Sequence, residues 1–416
     1  MRSTGLIPIR FVLAALLTAV LAGSLAMGGT GPGAEGPRAA DDPSGSPAAG
    51  SSRDGAARDA PAPLPADRAG ARLSREVFGY LPYWELDAGT DAYLRYDLLT
   101  TIAFFGVGYG ADGALITGAP GYRAYMSDRA TAIIEHAHAA GVRTVITFQS
   151  FDAARNAAFL SDLTAQGTFI EQALALMAER GADGANIDIE GLSGVYFDEY
   201  GAFVGAFARA AKARNPAAEI SVATNANTSG AKMAAAALAN GADRAFIMGY
   251  NYRSAGSALV GNIAPLVRAE GGLSLTRTLE LYAAESAPFD RLLLGLPYYG
   301  RTWPVVSSQL HAARQTDTAA YGSARVFFPK DLPRAAEGAT ATYEPVEHSV
   351  VLLRHDDAKG TWVQTYYDDP TSLEPKMGMA IDRGLAGVGI WALGYDRGQP
   401  GYWELLAELF RGPQVS

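Results

Sequence analysis

The chain has 416 residues, 49% of them hydrophobic and 19% charged, enough to bury a large core in one big domain or two ordinary ones. A net charge of −9 without an acidic block favours solubility and excludes the broad basic surface that nucleic acid demands. The absence of cysteine removes thiol nucleophiles, thiolate metal sites and disulfides together, so stability has to come from packing.

In chain order, the first expected element is an export signal over 1–27. Arg2 and Arg10 precede an apolar stretch beginning at Phe11, and Ser24-Leu25-Ala26 offers the small residues a signal peptidase cuts beside. An uncleaved anchor is the alternative, for which the stretch is only marginally long enough, since spanning takes about 20 apolar residues. Residues 28–74 are Gly, Pro, Ala, Ser, Asp and Arg with almost no large apolar side chain, and read as a disordered linker or spacer. The expected location is therefore extracellular, in solution or held at the cell surface.

Residues 75–413 read as one α/β domain. Short β-branched or apolar runs at 77–81, 101–107, 143–147, 184–189, 219–224, 244–248, 291–295 and 387–391 alternate with amphipathic segments such as 128–140, 167–180 and 199–214. Eight βα units over this length suit a (β/α)8 TIM barrel. The segment 303–384 is far too long for a βα loop and holds strand-like runs of its own at 349–354 and 362–367, so a small α+β insertion subdomain is expected after strand seven.

The run Asp183-Gly184-Ala185-Asn186-Ile187-Asp188-Ile189-Glu190 falls on the fourth strand. Side chains two apart on a strand share a face, so Asn186, Asp188 and Glu190 point one way and the two isoleucines the other. Barrel interiors are normally apolar, and polar groups there are costly unless bonded or solvated at the rim. Catalytic groups sit at the C-terminal ends of barrel strands, where Glu190 falls, and neighbouring carboxylates can push their pKa values apart.

This run resembles the Asp-Gly-x-Asp-x-Asp-x-Glu signature of glycoside hydrolase family 18, the chitinase-like family. Phe78-Gly79-Tyr80 with Trp84 resembles that family's first strand, Met248-Gly249-Tyr250-Asn251-Tyr252 its sixth, Gly295-Leu296-Pro297-Tyr298-Tyr299-Gly300-Arg301 its seventh and Gly387-Val388-Gly389-Ile390-Trp391-Ala392-Leu393-Gly394 its eighth. The resemblance implies a retaining mechanism in which the substrate's own N-acetyl oxygen attacks the anomeric carbon. Glu190 would protonate the leaving oxygen and then activate water, Asp188 would hold and polarise the acetamide, and Tyr250 would position it through its hydroxyl. Trp391 resembles the floor of the cleavage subsite. Tyr80, Trp84, Met248, Asn251, Tyr298, Arg301 and Trp303 complete the expected substrate-binding set, with plain packing as the alternative for Trp84 and Trp303. Tyr299 also resembles a cleft-lining residue, a structural role being the alternative for one of the two tyrosines, and Asp183 and Asn186 are motif support. The substrate would be an N-acetylglucosamine-containing polysaccharide, chitin or a relative such as peptidoglycan, cut by a monomer without cofactor, metal or stable protein partner.

Two positions depart from the family pattern. Asn186 stands where the family usually has Asp, and Asn251 replaces the Asp commonly following the strand-six Tyr. Fewer negative neighbours should ease ionisation of Asp188 and Glu190. Other chemistries find little support. The run from Gly108 to Gly113 matches Gly-x-Gly-x-x-Gly but is followed by no helix, so it reads as a turn. His136 and His138 do not share a helix face, and no Gly-x-Ser-x-Gly elbow occurs.

Overall fold

A computed structural model describes residues 73–412, apart from residue 269. Its frame is built from β1 (Glu76–Pro82), β2 (Thr101–Gly108), β3 (Arg143–Ser150), β4 (Gly184–Ile189), β5 (Glu219–Asn225), β6 (Arg244–Met248), β7 (Leu292–Pro297) and, much later in the chain, β13 (Gly387–Trp391). These strands pair in parallel and close into a barrel in the order β1-β13-β7-β6-β5-β4-β3-β2. The expected (β/α)8 architecture is therefore present. β3 runs to Ser150, beyond the expected end at 147, because its polar residues Gln149 and Ser150 stay in register with Asp188 and Ile189 of β4.

Ile187 and Ile189 point outward and are buried under the surrounding helices. Phe148 of β3 meets Phe169 and Phe207 on the helices Leu163–Arg180 and Phe197–Arg214, extending an aromatic layer outside the sheet. The first of these helices starts where the Asp162 side chain accepts from Thr164 N and Ala165 N, and ends at Gly181, whose φ of 64° suits glycine. Inside the barrel Phe246 packs edge-on against Tyr80, with centroids 4.8 Å apart. A Cβ at Gly295 or Gly389 would lie 2.2 or 2.0 Å from the Phe246 ring, so these two glycines make room for the floor of the mouth.

The insertion comprises β8 (Gly300–Val305), β9 (Arg325–Phe327), β10 (Thr340–Glu344), β11 (Ser349–Asp356) and β12 (Thr361–Tyr367), forming an antiparallel sheet in the order β10-β11-β12-β8-β9. Its bounds differ from the expected 303–384. It opens at Gly300, and the helix Pro370–Asp382 belongs to the barrel, packing on β7 and β13. That helix is started by a capping box between Asp369 and Ser372 with Pro370 in its first turn, and its buried Leu373, Met377 and Ala380 recur at helical spacing.

The proposed signal, 1–27, lies outside the described residues, as does the linker to residue 72. Leu73 and Ser74 already belong to the domain: Leu73 bridges Arg411, and Ser74 N donates to Phe410 O at 2.6 Å. No helix among the described residues is long and apolar enough to cross a membrane. The glycine-rich run after β2 is a turn, with Gly110 N donating to Ala114 O and a bridge between Tyr109 and Leu115.

Candidate active site

Asn186 and Asp188 both face the barrel interior from β4. Asn186 is fully buried and held from two sides: Tyr80 Oη donates to its Oδ1 at 2.9 Å, and its Nδ2 donates to Ser221 Oγ at 2.9 Å. Asp188, one layer above, is 4% exposed, and its Oδ1 has no hydrogen-bond partner among the described residues. Glu190 follows the strand at the mouth. Its backbone is fixed by donation from Glu190 N to Ser150 O at 3.0 Å and by acceptance from Asn156 Nδ2 at 2.7 Å.

Burial dominates the electrostatics. It pushes the Glu190 carboxyl up to about 7. Burial, followed by the charge of Glu190, raises Asp188 well above the usual carboxylate range. The easing of ionisation expected from the missing charge at Asn186 is a difference from an aspartate at that position, and burial is the larger influence on both carboxyls here. An acid still protonated near neutrality beside a second inward carboxyl is the equipment for protonating a leaving group.

Aromatic side chains surround this pair. Trp391, half-buried at the end of β13, packs edge-on against Phe105 and Tyr80 with centroids 4.8 and 5.2 Å apart. Tyr250 lies 6.5 Å from Trp391 and 6.0 Å from Tyr299 between ring centroids, and its hydroxyl is kept protonated foremost by burial. Tyr299 Oη donates to Asn251 Oδ1 at 2.8 Å. Asn251 has a φ of 61°, a left-handed conformation that asparagine tolerates better than most residues. Met248 is half-buried at the end of β6. Trp84, also half-buried, donates from Nε1 to Tyr395 Oη at 3.1 Å.

Four expected site residues have other places. Trp303 is 0% exposed on β8, packed on Tyr366 and donating to Ser254 O at 3.4 Å, so no sugar can stack on it. Tyr298 is buried against Tyr402 of the C-terminal helix, Tyr402–Phe410; its neighbour Tyr299 takes the position beside Tyr250. Alternation along the chain after β7 sends one tyrosine outward and the next inward. Tyr80 is only 1% exposed and holds Asn186. Asp183 lies at the opposite end of β4 from Glu190, where its Oδ2 accepts from Thr144 N at 2.7 Å and pairs with His138 at 2.8 Å. Arg301 is buried on β8, near enough to Tyr299 for its charge to act on that phenol.

The sequence reading passed over Phe105, Phe151, Thr147 and Gln149. Phe151 is exposed and stacks on Phe105 at 6.3 Å, extending the aromatic surface that ends in Trp391. Thr147 and Gln149 lie in register with Asn186 and Asp188. Extending β3 by the same alternation that oriented β4 would have found them.

His136 and His138 each pair with a separate carboxylate, Asp91 at 2.9 Å and Asp183 at 2.8 Å. Ligand-type atoms of His311, Glu344 and Glu347 lie within 4.8 Å of one another in the insertion. Both Glu347 oxygens, however, accept from Arg253, at 2.7 and 2.9 Å, and this guanidinium supplies the positive charge that a cation would otherwise bring.

The motif order, the closed barrel and the inward acid pair converge with a family model described as glycosyl hydrolases family 18, which matches residues 76–396. The chain belongs to glycosyl hydrolases family 18. Within the family it is 25% identical over 154 residues to Nod factor hydrolase protein 1 of Medicago truncatula, covering 36% of this chain and 38% of that protein. It is 28% identical over 163 residues to class V chitinase CHIT5 of Lotus japonicus (37% and 38% covered), and 26% identical over 171 residues to a putative sporulation-specific glycosylase, YdhD, of Bacillus subtilis (40% and 34%). The matched part thus spans little more than a third of each of these curated relatives. The family fold is seen in the class V chitinase of Nicotiana tobaccum, with a TM-score of 0.67 at 18% identity, covering 81% of this chain and 97% of that one. A group IV chitinase of Ostrinia furnacalis, solved with allosamidin, gives a TM-score of 0.69 at 17% identity, covering 81% and 98%.

Proposed function

We propose that this chain is an exported glycosidase that cleaves β-1,4 bonds beside N-acetylglucosamine, in chitin or chito-oligosaccharides, by a substrate-assisted retaining mechanism. The observation that carries the reading is Glu190, held up to about 7 at the mouth end of β4, directly after the inward Asp188. Glu190 gives its proton to the leaving glycosidic oxygen while the acetamide oxygen of the same sugar attacks the anomeric carbon. Asp188 orients the acetamide and stabilises the oxazolinium charge, Tyr250 holds the acetamide with its hydroxyl, and Trp391 stacks under the ring. Glu190, now a carboxylate, takes a proton from the water that opens the intermediate. Chitinases among the relatives and a class V chitinase solved with NAG4 support this substrate class.

The departure from the family pattern at Asn186 and the expected export signal motivate a second polymer, peptidoglycan, cut by the same chemistry. Reducing-end release from chitin oligosaccharides and from purified cell wall decides between them: turnover of cell wall alone removes the chitin assignment. Glu190→Gln is expected to keep oligosaccharide binding and lose at least about a thousandfold in turnover. Wild-type protein that binds amino-sugar polymers but turns none over would instead make the chain a chitin-binding lectin.

A further inference from the structure

We propose that Gln149 determines specificity at the cleavage point, its side-chain oxygen accepting a hydrogen bond from a hydroxyl of the bound amino sugar; this rests on the glycosidase reading above. Gln149 pairs in register with Asp188 on one side and with Gly108 on the other. Adjacent residues of neighbouring parallel strands project to the same face, so Gln149 enters the barrel mouth on the same level as Asp188, with Thr147 below it beside Asn186. Its amide lies over Gly106, where a Cβ would come within 3.1 Å of Cδ and 3.3 Å of Oε1. With glycine at 106 and 108, the β2 side of the mouth leaves room for a long polar side chain. Gly106 follows Phe105, whose ring meets Trp391 at 4.8 Å, so the amide stands between the acidic strand and the aromatic platform.

Glutamines that serve packing in this protein are bonded. Gln364 donates to Gln309 O at 2.7 Å and accepts from Tyr366 Oη at 2.9 Å, and Gln166 donates to Leu160 O at 2.9 Å. Gln149 Oε1 is buried without a partner among the described residues, as is Oδ1 of the adjacent Asp188. An unpaired buried acceptor is destabilising, and a sugar hydroxyl donating to it removes that penalty. The two acceptors together suit a ligand rich in donors, and a sugar bearing hydroxyls and an acetamide N–H is such a ligand. Substitution of the hydroxyl that Gln149 reads, by an ether or ester, would leave the acceptor unpaired and clash with its side chain.

The test uses the full chain carrying Glu190→Gln, titrated calorimetrically with N-acetylglucosamine tetrasaccharide, with and without Gln149→Met, which keeps length and bulk but removes the amide. Affinity is expected to fall about tenfold, the equivalent of one hydrogen bond, while Tm holds or rises because an unsatisfied polar atom has been removed. Gln149→Asn, which retracts the oxygen, is expected to lose affinity similarly. Unchanged affinity overturns the proposal, and so does a fall in Tm of more than about 5 °C, which would assign Gln149 to the scaffold. Failure of the Glu190→Gln protein itself to bind any amino-sugar oligomer would overturn the glycosidase reading first, and this proposal with it.

Discussion

Tyr80 Oη donates to Asn186 Oδ1 at 2.9 Å while Asn186 Nδ2 is committed to Ser221, so the amide below Asp188 has both ends occupied. Asp188 Oδ1 takes no hydrogen bond from it, and a neutral amide brings no like charge. Asn186→Asp places a carboxylate in this enclosed layer, and a negative neighbour disfavours further ionisation. The basic limb of the kcat/KM profile is expected to move to higher pH, together with a drop in Tm at neutral pH. A profile that stays in place would show that Asn186 and the acid pair are electrostatically independent.

Because burial raises Glu190 to about 7, the sign of its linkage to stability is defined. A carboxyl whose folded pKa exceeds its unfolded value gives stability that is complete below the unfolded pKa and lost as pH rises through the folded one. Glu190→Gln never ionises, so its Tm advantage over wild type is expected to grow from pH 5 to pH 8. Thermal melts across that range check it, and an advantage constant with pH would mean that Glu190 titrates at its ordinary value.

Two tryptophans separate packing from binding. Trp303→Ala empties a fully buried site in the insertion and is expected to cost about 3–5 kcal/mol in denaturant unfolding. Trp391→Ala removes a half-buried ring at the mouth. It is expected to cost about 1–2 kcal/mol of stability but at least about tenfold in oligosaccharide affinity.

At the far end of β4, the hydrogen bond to Asp183 raises the pKa of His138 against a smaller opposing effect of burial. A raised histidine contributes stability below its unfolded pKa and loses it as pH rises through the folded pKa. His138→Gln should therefore lower Tm more at pH 5.5 than at pH 8.5. Activity measured well below the melting temperature should hold, since this pair is remote from Glu190.

Period and sequence order alone determined the eight barrel strands, the inward Asn186, Asp188 and Glu190 and the placing of an insertion after strand seven, because strand alternation is a local geometric rule. The same rule, followed two residues further along β3, would have exposed Gln149, which lies beyond the expected strand end at 147. Which aromatic residues reach the cleft was decided only by tertiary structure. Trp303 and Tyr298 carry the same sequence signal as Trp391 and Tyr299, yet Tyr366 packs on the first, whose indole donates to Ser254 O, and the C-terminal helix covers the second. The acidity of Glu190 was likewise invisible in the chain. It depends on how much water the closed barrel and its aromatic rim exclude, a property of residues brought together from strands far apart in sequence.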